Sequence, residues 1–357
     1  MHVTNVKTKR DEDRWEFEVT AEIPTEAITQ WRGKALTQMA REAQIDGFRA
    51  GKAPEELVLA RVGEAALLER AASEAVRHEL PEILATEQAN IVDAPKVVIA
   101  TPIPGKPVSF TARAPLAPQI TLPDYKKIAA EVRATKQGQS VSDEEHAQAL
   151  AHLKRERARI EKVEAGTDPK EAAEHAKAMV EADLPALDDD FAKSLGYEGE
   201  GAFEDAVRGN IKNEKELHEA EKRRATLLEK LVKQAQVKYP AIMREYELDE
   251  MEARMAGDVE SMGTTLDAYL THAKKTKENL RKEWAEAADT RAKVRLILGE
   301  IARTEKIEPD SETLEREVAR AKQHYKNADE ATLRAHIAHA MKNEAVLGFL
   351  EREPESE

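Results

Sequence analysis

The sequence predicts an α+β N-terminal domain followed by a mostly α-helical, elongated C-terminal domain. Three observations carry that expectation. Apolar and polar residues alternate at Trp15, Phe17 and Val19 and again at Val108, Phe110 and Ala112, the period of a half-buried strand. Beyond Ser142, apolar residues recur instead at three- and four-residue steps between capping residues. The composition is 41% hydrophobic but only 4% aromatic and 35% charged, which favours long helices with solvated faces over a large buried sheet.

At 357 residues the chain can hold two or three domains, each with its own core. A net charge of −14 argues against a global positive field for nucleic acid. Residues 1–115 hold 15 Lys and Arg against 18 Asp and Glu, a balance of −3, which leaves −11 to the remainder. Any contact with RNA must therefore be local, and the N-terminal part suits it better. The absence of cysteine excludes disulfides, Cys-ligated zinc and thiol catalysis. The first residues carry no apolar run of signal-peptide length, and no stretch approaches the roughly 18 apolar residues of a membrane span. The expectation is a soluble, cytoplasmic protein without membrane contact.

Taken in order, Val3 and Val6, then Trp15, Phe17 and Val19, mark two short strands within residues 1–23, with the charged cluster at 9–13 as their turn. Pro24-Thr25-Glu26 opens a helix with Thr25 as N-cap and Ile28, Trp31, Ala35, Leu36, Met39 and Ala43 as its apolar stripe. Helical pattern resumes at 55–68, and a further helix from roughly 64 to 87 contains Pro81, which predicts a kink or an early stop. Val97, Val98 and Ile99 form a strand, and Val108, Phe110 and Ala112 another, across a turn at 102–105. That makes four strands with two or three helices on one side, in a domain ending near residue 115.

Pro115, Pro118 and Pro123 mark a semi-rigid linker, and 128–134 reads as a strand-like addition. Ser142 and Glu145 stand at capping-box spacing before a helix to about Val163, which Gly166-Thr167-Asp168-Pro169 breaks. From Leu184 the chain reads as helical to its end. Short helices surround the 196–201 loop, and a long charged helix covers 211–237. Pro240 opens the next helix, and Thr264 or Thr265 recaps the chain after Gly263. The most apolar helix holds 294–301, Ser311 caps one that reaches about Tyr325, and a last runs from near Asp329 to Leu350. No fixed period recurs, so the pattern is not that of a solenoid.

Between the first two helices lies Gly47-Phe48-Arg49-Ala50-Gly51-Lys52-Ala53-Pro54. Its glycines permit backbone angles that other residues resist, and Pro54 suits the first turn of the next helix. Such turns ordinarily carry small polar residues, whereas this one sets an aromatic ring beside two cations. Arginine suits phosphate and carboxylate recognition, and a loop tip reaches partners that a helix face cannot. The plainer reading is a helix–loop–helix corner with Phe48 tucked into the core.

The run Gly-Phe-Arg-x-Gly-Lys-x-Pro resembles the ribosome-docking signature of trigger factor, the bacterial chaperone that meets nascent chains at the tunnel exit. The match holds at Gly47, Phe48, Arg49, Gly51, Lys52 and Pro54. It departs at Ala50, where the family often carries a second basic residue. The element order of 1–115 resembles the family's N-terminal domain. Leu184-Pro185-Ala186-Leu187 resembles the Leu-Pro-x-Leu start of its C-terminal domain, and the 294–301 run is similar to that domain's apolar helix. The resemblance covers 1–163 and 184–350 in order. Family members usually carry an FKBP-like prolyl isomerase domain of about 100 residues, a common domain size, after the first long helix. Here about 20 residues separate Val163 from Leu184. An isomerase pocket of that class wraps its substrate in aromatic side chains, and residues 116–190 contain a single aromatic, Tyr125.

The resemblance implies a ribosome-binding domain over 1–115, an extended linker and helix over 116–183 where the isomerase would be inserted and is absent, and a helical substrate-binding domain with arms over 184–357. It implies an ATP-independent chaperone, not an enzyme, with no cofactor. The partners would be the large ribosomal subunit near the tunnel exit, through a ribosomal protein and ribosomal RNA, and nascent or unfolded polypeptides. Gly47, Phe48, Arg49, Ala50, Gly51 and Lys52 would make the ribosomal contact, and a homodimer could form off the ribosome. The alternative is a helical scaffold or assembly protein with one fixed partner and no ribosome docking.

Met243, Met251, Met255 and Met262, half of the chain's eight methionines, fall with Val259 on one expected helix. Flexible, polarizable methionine suits surfaces that accept many partners, which makes these the candidate substrate-binding residues. The plainer reading is a buried seam. His336 and His339, with His324 nearby, lack a further ligand set for a metal. No phosphate-binding glycine loop or Gly-x-Ser-x-Gly elbow occurs, so no metal and no catalytic group are expected.

Overall fold

The computed structural model describes residues 2–43, 45, 48–49, 51–136, 138–325 and 328–352. By contacts the chain divides into two compact units, each assembled from two separated stretches. The first combines Met1–Pro123 with Gln234–Asn343, and the second combines Asp124–Lys233 with Glu344–Glu357. This grouping cuts across the sequential boundaries at 115 and 183.

In the first unit, β1 (Thr4–Asp11), β2 (Glu16–Ile23), β3 (Lys96–Ile99) and β4 (Val108–Pro115) form an antiparallel sheet in the order β1-β2-β4-β3. Alternation does what the sequence promised. Phe17, Val19, Ala21 and Ile23 of β2 and Val108, Phe110, Ala112 and Ala114 of β4 are all buried on one face. That face packs on α1 (Thr25–Glu42) and α3 (Glu64–Thr86), through Ile28, Ala35 and Leu36 of the first and Leu67, Ala71, Val76, Leu80 and Ile83 of the second. Between them α2 (Glu55–Val62) stops at Gly63, whose φ of +83° only glycine adopts readily.

Three local expectations need correction here. Thr25 is the first helical residue and caps nothing; Pro24 is the N-cap, and its carbonyl accepts from the Ala27 and Ile28 amides. The first helix boundary of 55–68 falls at Gly63, not Leu68. The helix also runs through Pro81 to Thr86 without an early stop, because Leu80 and Ile83 on either side of it are buried in the core and offset the lost hydrogen bond.

The linker holds a strand that the sequence reading missed. β5 (Gln119–Thr121) pairs antiparallel with β6 (Gln236–Lys238), a segment expected to be helical. The ribbon joins the two stretches of this unit, and the Trp15 indole Nε1 donates to the Ala117 carbonyl at 2.8 Å beside it. There follow α9 (Ala241–Ser261), opened by Pro240 as expected, and α10 (Leu266–His272), capped by Thr265. Next come α11 (Lys277–Glu305) and α12 (Ser311–His324). Ile297, Leu298 and Ile301 of the apolar run are buried in α11. Asp310, not Ser311, caps α12 by accepting from the Thr313 amide at 2.8 Å.

In the second unit, 128–134 is not strand-like. It belongs to α4 (Tyr125–Arg133), where Asp124 accepts from the Lys127 amide and Ile128, Ala129 and Val132 share a buried face. Next, α5 (Asp143–Glu164) begins with the full Ser142–Glu145 capping box. Helix α6 (Pro169–Ala178) has Asp168 as cap and proline in its first turn. The short α7 (Asp189–Ser194) leads to α8 (Glu200–Gln234), one continuous helix where a short and a long one were expected. Phe191, Tyr197 and Phe203 pack edge-on around the start of α8. Arg224 of α8 makes bidentate contacts to Glu344 and Glu351 of α13 (Glu330–Glu351). No helix among the described residues is long and apolar enough to cross a membrane.

Candidate functional site

The loop after α1 is fastened at its stem and open at its tip. Ile45 and Ala53 pack against the core of the first unit together with Met39 and Ala40. The Gly51 amide donates to the Ala40 carbonyl at 2.9 Å, which ties the returning limb to the last turn of α1. Gly51 has φ +74°, and a Cβ there would meet Arg41 Cγ at 3.1 Å, so conformation and space both call for glycine. The Lys52 amide donates to the Arg49 carbonyl at 2.9 Å, a turn that closes the tip. Phe48 is 45% exposed, and Arg49, Gly51 and Lys52 are exposed as well. Phe48 is thus not tucked into the core. The remaining candidates, Gly47 and Ala50, lie outside the described residues.

An exposed phenyl ring and two cations on one short tip can join an apolar contact to the charge-assisted hydrogen bonds that phosphate or carboxylate groups accept.

The second set of candidates is divided by its surroundings. Met255 packs with Leu266, Leu270, Leu280 and Trp284, and Val259 is buried. Met251 is half-buried. Met243, also half-buried, lines a cavity of about 230 Å³ with Val92, Ile242, Tyr246, Ala292 and Leu296. Met262 is 76% exposed, but it is the C-cap of α9 and so lies beyond the helical stripe.

Ion pairs fix α9 against α11. Glu247, only 2% exposed, accepts from Arg291 Nε at 3.1 Å and lies 2.8 Å from Arg295 Nε, while Arg295 also reaches Glu250 at 2.6 Å. Nearer the start of α11, Arg281 is held by Asp249, Glu245 and Glu252, whose hydrogen bonds raise its pKa. His339 is half-buried, and burial and then the Arg295 charge push its pKa below the usual histidine value. Among the described residues, no group of three or more His, Asp or Glu is placed to hold a metal ion.

The structure also shows a cleft that sequence reasoning missed. It measures about 770 Å³ and lies between the outer sheet face, at Val98, Thr111 and Arg113, and the start of α9, at Ile242 and Tyr246. The available signal was the unalternating Val97-Val98-Ile99 run, since one of two adjacent valines in a strand must face away from the helix-covered side.

A small α+β domain with an aromatic–cationic tip, joined to long amphipathic helices, has the features of a binding protein. The chain matches the family model described as bacterial trigger factor protein over residues 4–153 and that described as its C-terminus over residues 202–346. It is 24% identical to the trigger factor of Clostridium kluyveri, with 91% of each chain covered. It is 25% identical to that of Anoxybacillus flavithermus, covering 84% of this chain and 86% of the relative. A solved structure of the trigger factor chaperone, described for promiscuous substrate recognition in folding and assembly, superposes with a TM-score of 0.52 at 15% identity. That match covers 97% of this chain and 99% of the other, and it speaks for the fold. The chain belongs to the trigger factor family of chaperones.

Proposed function

We propose that this chaperone docks on the large ribosomal subunit near the tunnel exit through Phe48, Arg49 and Lys52, with Gly51 shaping the tip. There it shields nascent or unfolded polypeptides in the cytoplasm without ATP. The observation that carries the reading is the loop itself: a half-buried stem packed on the core, a glycine at φ +74°, and an aromatic ring and two cations turned to solvent. Residues 1–115 act as the ribosome-binding domain, 116–183 as the linker and helix, and 184–357 as the substrate-binding domain. The protein works without prolyl isomerase activity. Support for that comes from the two family matches, which leave only 154–201 between them, and from the helices α5, α6 and α7 that occupy most of that stretch. In cosedimentation, the Phe48→Ala, Arg49→Ala double variant is expected to stay in the supernatant while the unaltered chain pellets with ribosomes. Equal pelleting of the two would overturn the assigned docking role.

A further inference from the structure

We propose that the free edge of β3 receives an extended segment of a non-native polypeptide as a fifth strand of the sheet. This gives the chaperone reading, on which it rests, a defined mode of client contact. β3 and β1 are the two ends of the sheet. The register pairs Val97 with Ala112, Val98 with Thr111 and Ile99 with Phe110, and the Ala100 amide donates to the Ser109 carbonyl at 2.9 Å. In an antiparallel ladder that parity turns the backbone groups of Val98 toward β4 and those of Val97 and Ile99 outward. The outward groups meet no hydrogen-bond partner among the described residues. Such a row of unpaired donors and acceptors is a template for another strand.

The side chains fit the same guest. Val97 is 39% and Val98 71% exposed, on opposite faces of the strand, so an added strand finds an apolar neighbour on each face. On the Val98 face, the 770 Å³ cleft bounded by Ile242 and the half-exposed Tyr246 leaves room for a guest side chain.

The opposite edge is protected. The β1–β2 register shifts between Thr4 and Lys7, Asn5 has φ +54°, and Lys7, Lys9 and Arg10 line the strand. A bulge and edge lysines are the devices that discourage pairing. β3 carries only Lys96. The cleft is also mixed in sign, with Arg14, Lys96 and Arg113 against Glu16, Asp93, Glu245 and Asp249. Selection therefore falls on backbone and apolar groups and not on one charge, which picks out a guest by its being unfolded. Four residues offer few bonds, so the contact is brief.

The test uses the full chain and a reduced, carboxymethylated, permanently unfolded protein as probe. Val97→Pro removes an outward N–H without touching a ladder bond, and Val98→Lys adds an edge charge on an intact backbone. Each is expected to weaken probe binding about fivefold, the effect of one net hydrogen bond, with thermal midpoints close to wild type. Hydrogen exchange at the Val97 and Ile99 amides of wild type should slow when the probe binds. Wild-type binding of the probe with both variants equal to it would overturn this proposal alone. Protection of both amides before the probe is added would do the same. A dimer of this chain abolished by either variant would make a second copy the occupant and overturn it too. Failure of wild type to bind the probe at all would overturn the chaperone reading and this one with it.

Discussion

The 45–54 loop and helix α9 both carry candidate binding residues, and they hold them in opposite ways. The loop anchors Ile45 and Ala53 in the core and leaves Phe48, Arg49 and Lys52 to solvent. Helix α9 does the reverse with its stripe. Val259 is buried, Met255 is half-buried against Leu266, Leu270 and Leu280, and ion pairs at Glu247 clamp the helix to α11. Adjacent turns of a helix share whatever neighbour lies alongside, so an apolar stripe is covered as soon as another helix packs there. A loop tip has no such neighbour. Equal apolarity in sequence thus stays exposed in one place and is partly covered in the other.

The largest expected effect tests the clamp. Replacing both Arg291 and Arg295 by alanine leaves Glu247 buried without a cation, and urea unfolding should show a loss of about 3 kcal/mol or more. A midpoint near wild type would mean that the ion pairs do not hold α9 in place.

Next comes the division within the stripe. Met255→Ser should cost about 1–2 kcal/mol, because a hydroxyl and a cavity replace a half-buried thioether packed against leucines. Met262→Ser, at an exposed cap, should change stability by less than about 0.5 kcal/mol. Equal losses in thermal melts would erase the contrast between the two positions.

The loop gives a smaller effect than the clamp or Met255. Gly51→Ala should cost about 1 kcal/mol through its positive φ and the close approach to Arg41, and it should weaken ribosome cosedimentation by distorting the tip. Unchanged pelleting would show that the tip does not depend on this glycine.

Much of this architecture was legible because its signals are local. The β2 and β4 alternation, the Ser142–Glu145 box and the break at 166–169 each act within a few residues, and each forms as read. What was missed needed distant partners or lacked a period. Gln119-Ile120-Thr121 and Gln236-Val237-Lys238 are too short to show alternation, and each becomes a strand only because the other lies beside it. Ile128 and Val132 read as strand formers until the Asp124 cap and the four-residue step between them are given their weight. At the site, the aromatic and cations of the loop were visible in the sequence. The fate of each α9 methionine was not, since the partial cover of Met255 is decided by Leu266, Leu270 and Leu280.

The discontinuity of the first unit has a consequence for how the protein is made. The N-terminal sheet and the helices that cover it draw their buried core from residues 17–116 alone, so they can assemble as soon as that stretch emerges. β5 emerges soon after, yet its partner β6 follows only when all of 124–233 has been synthesised, and the unit is complete only once residue 343 is out. Closing so long an intervening segment costs little more than closing a shorter one, because loop entropy grows only with the logarithm of length. The delay is in time. During it the β5 edge and the place of α9 stand open, so this chaperone is itself, for most of its own synthesis, a chain with an unfinished surface.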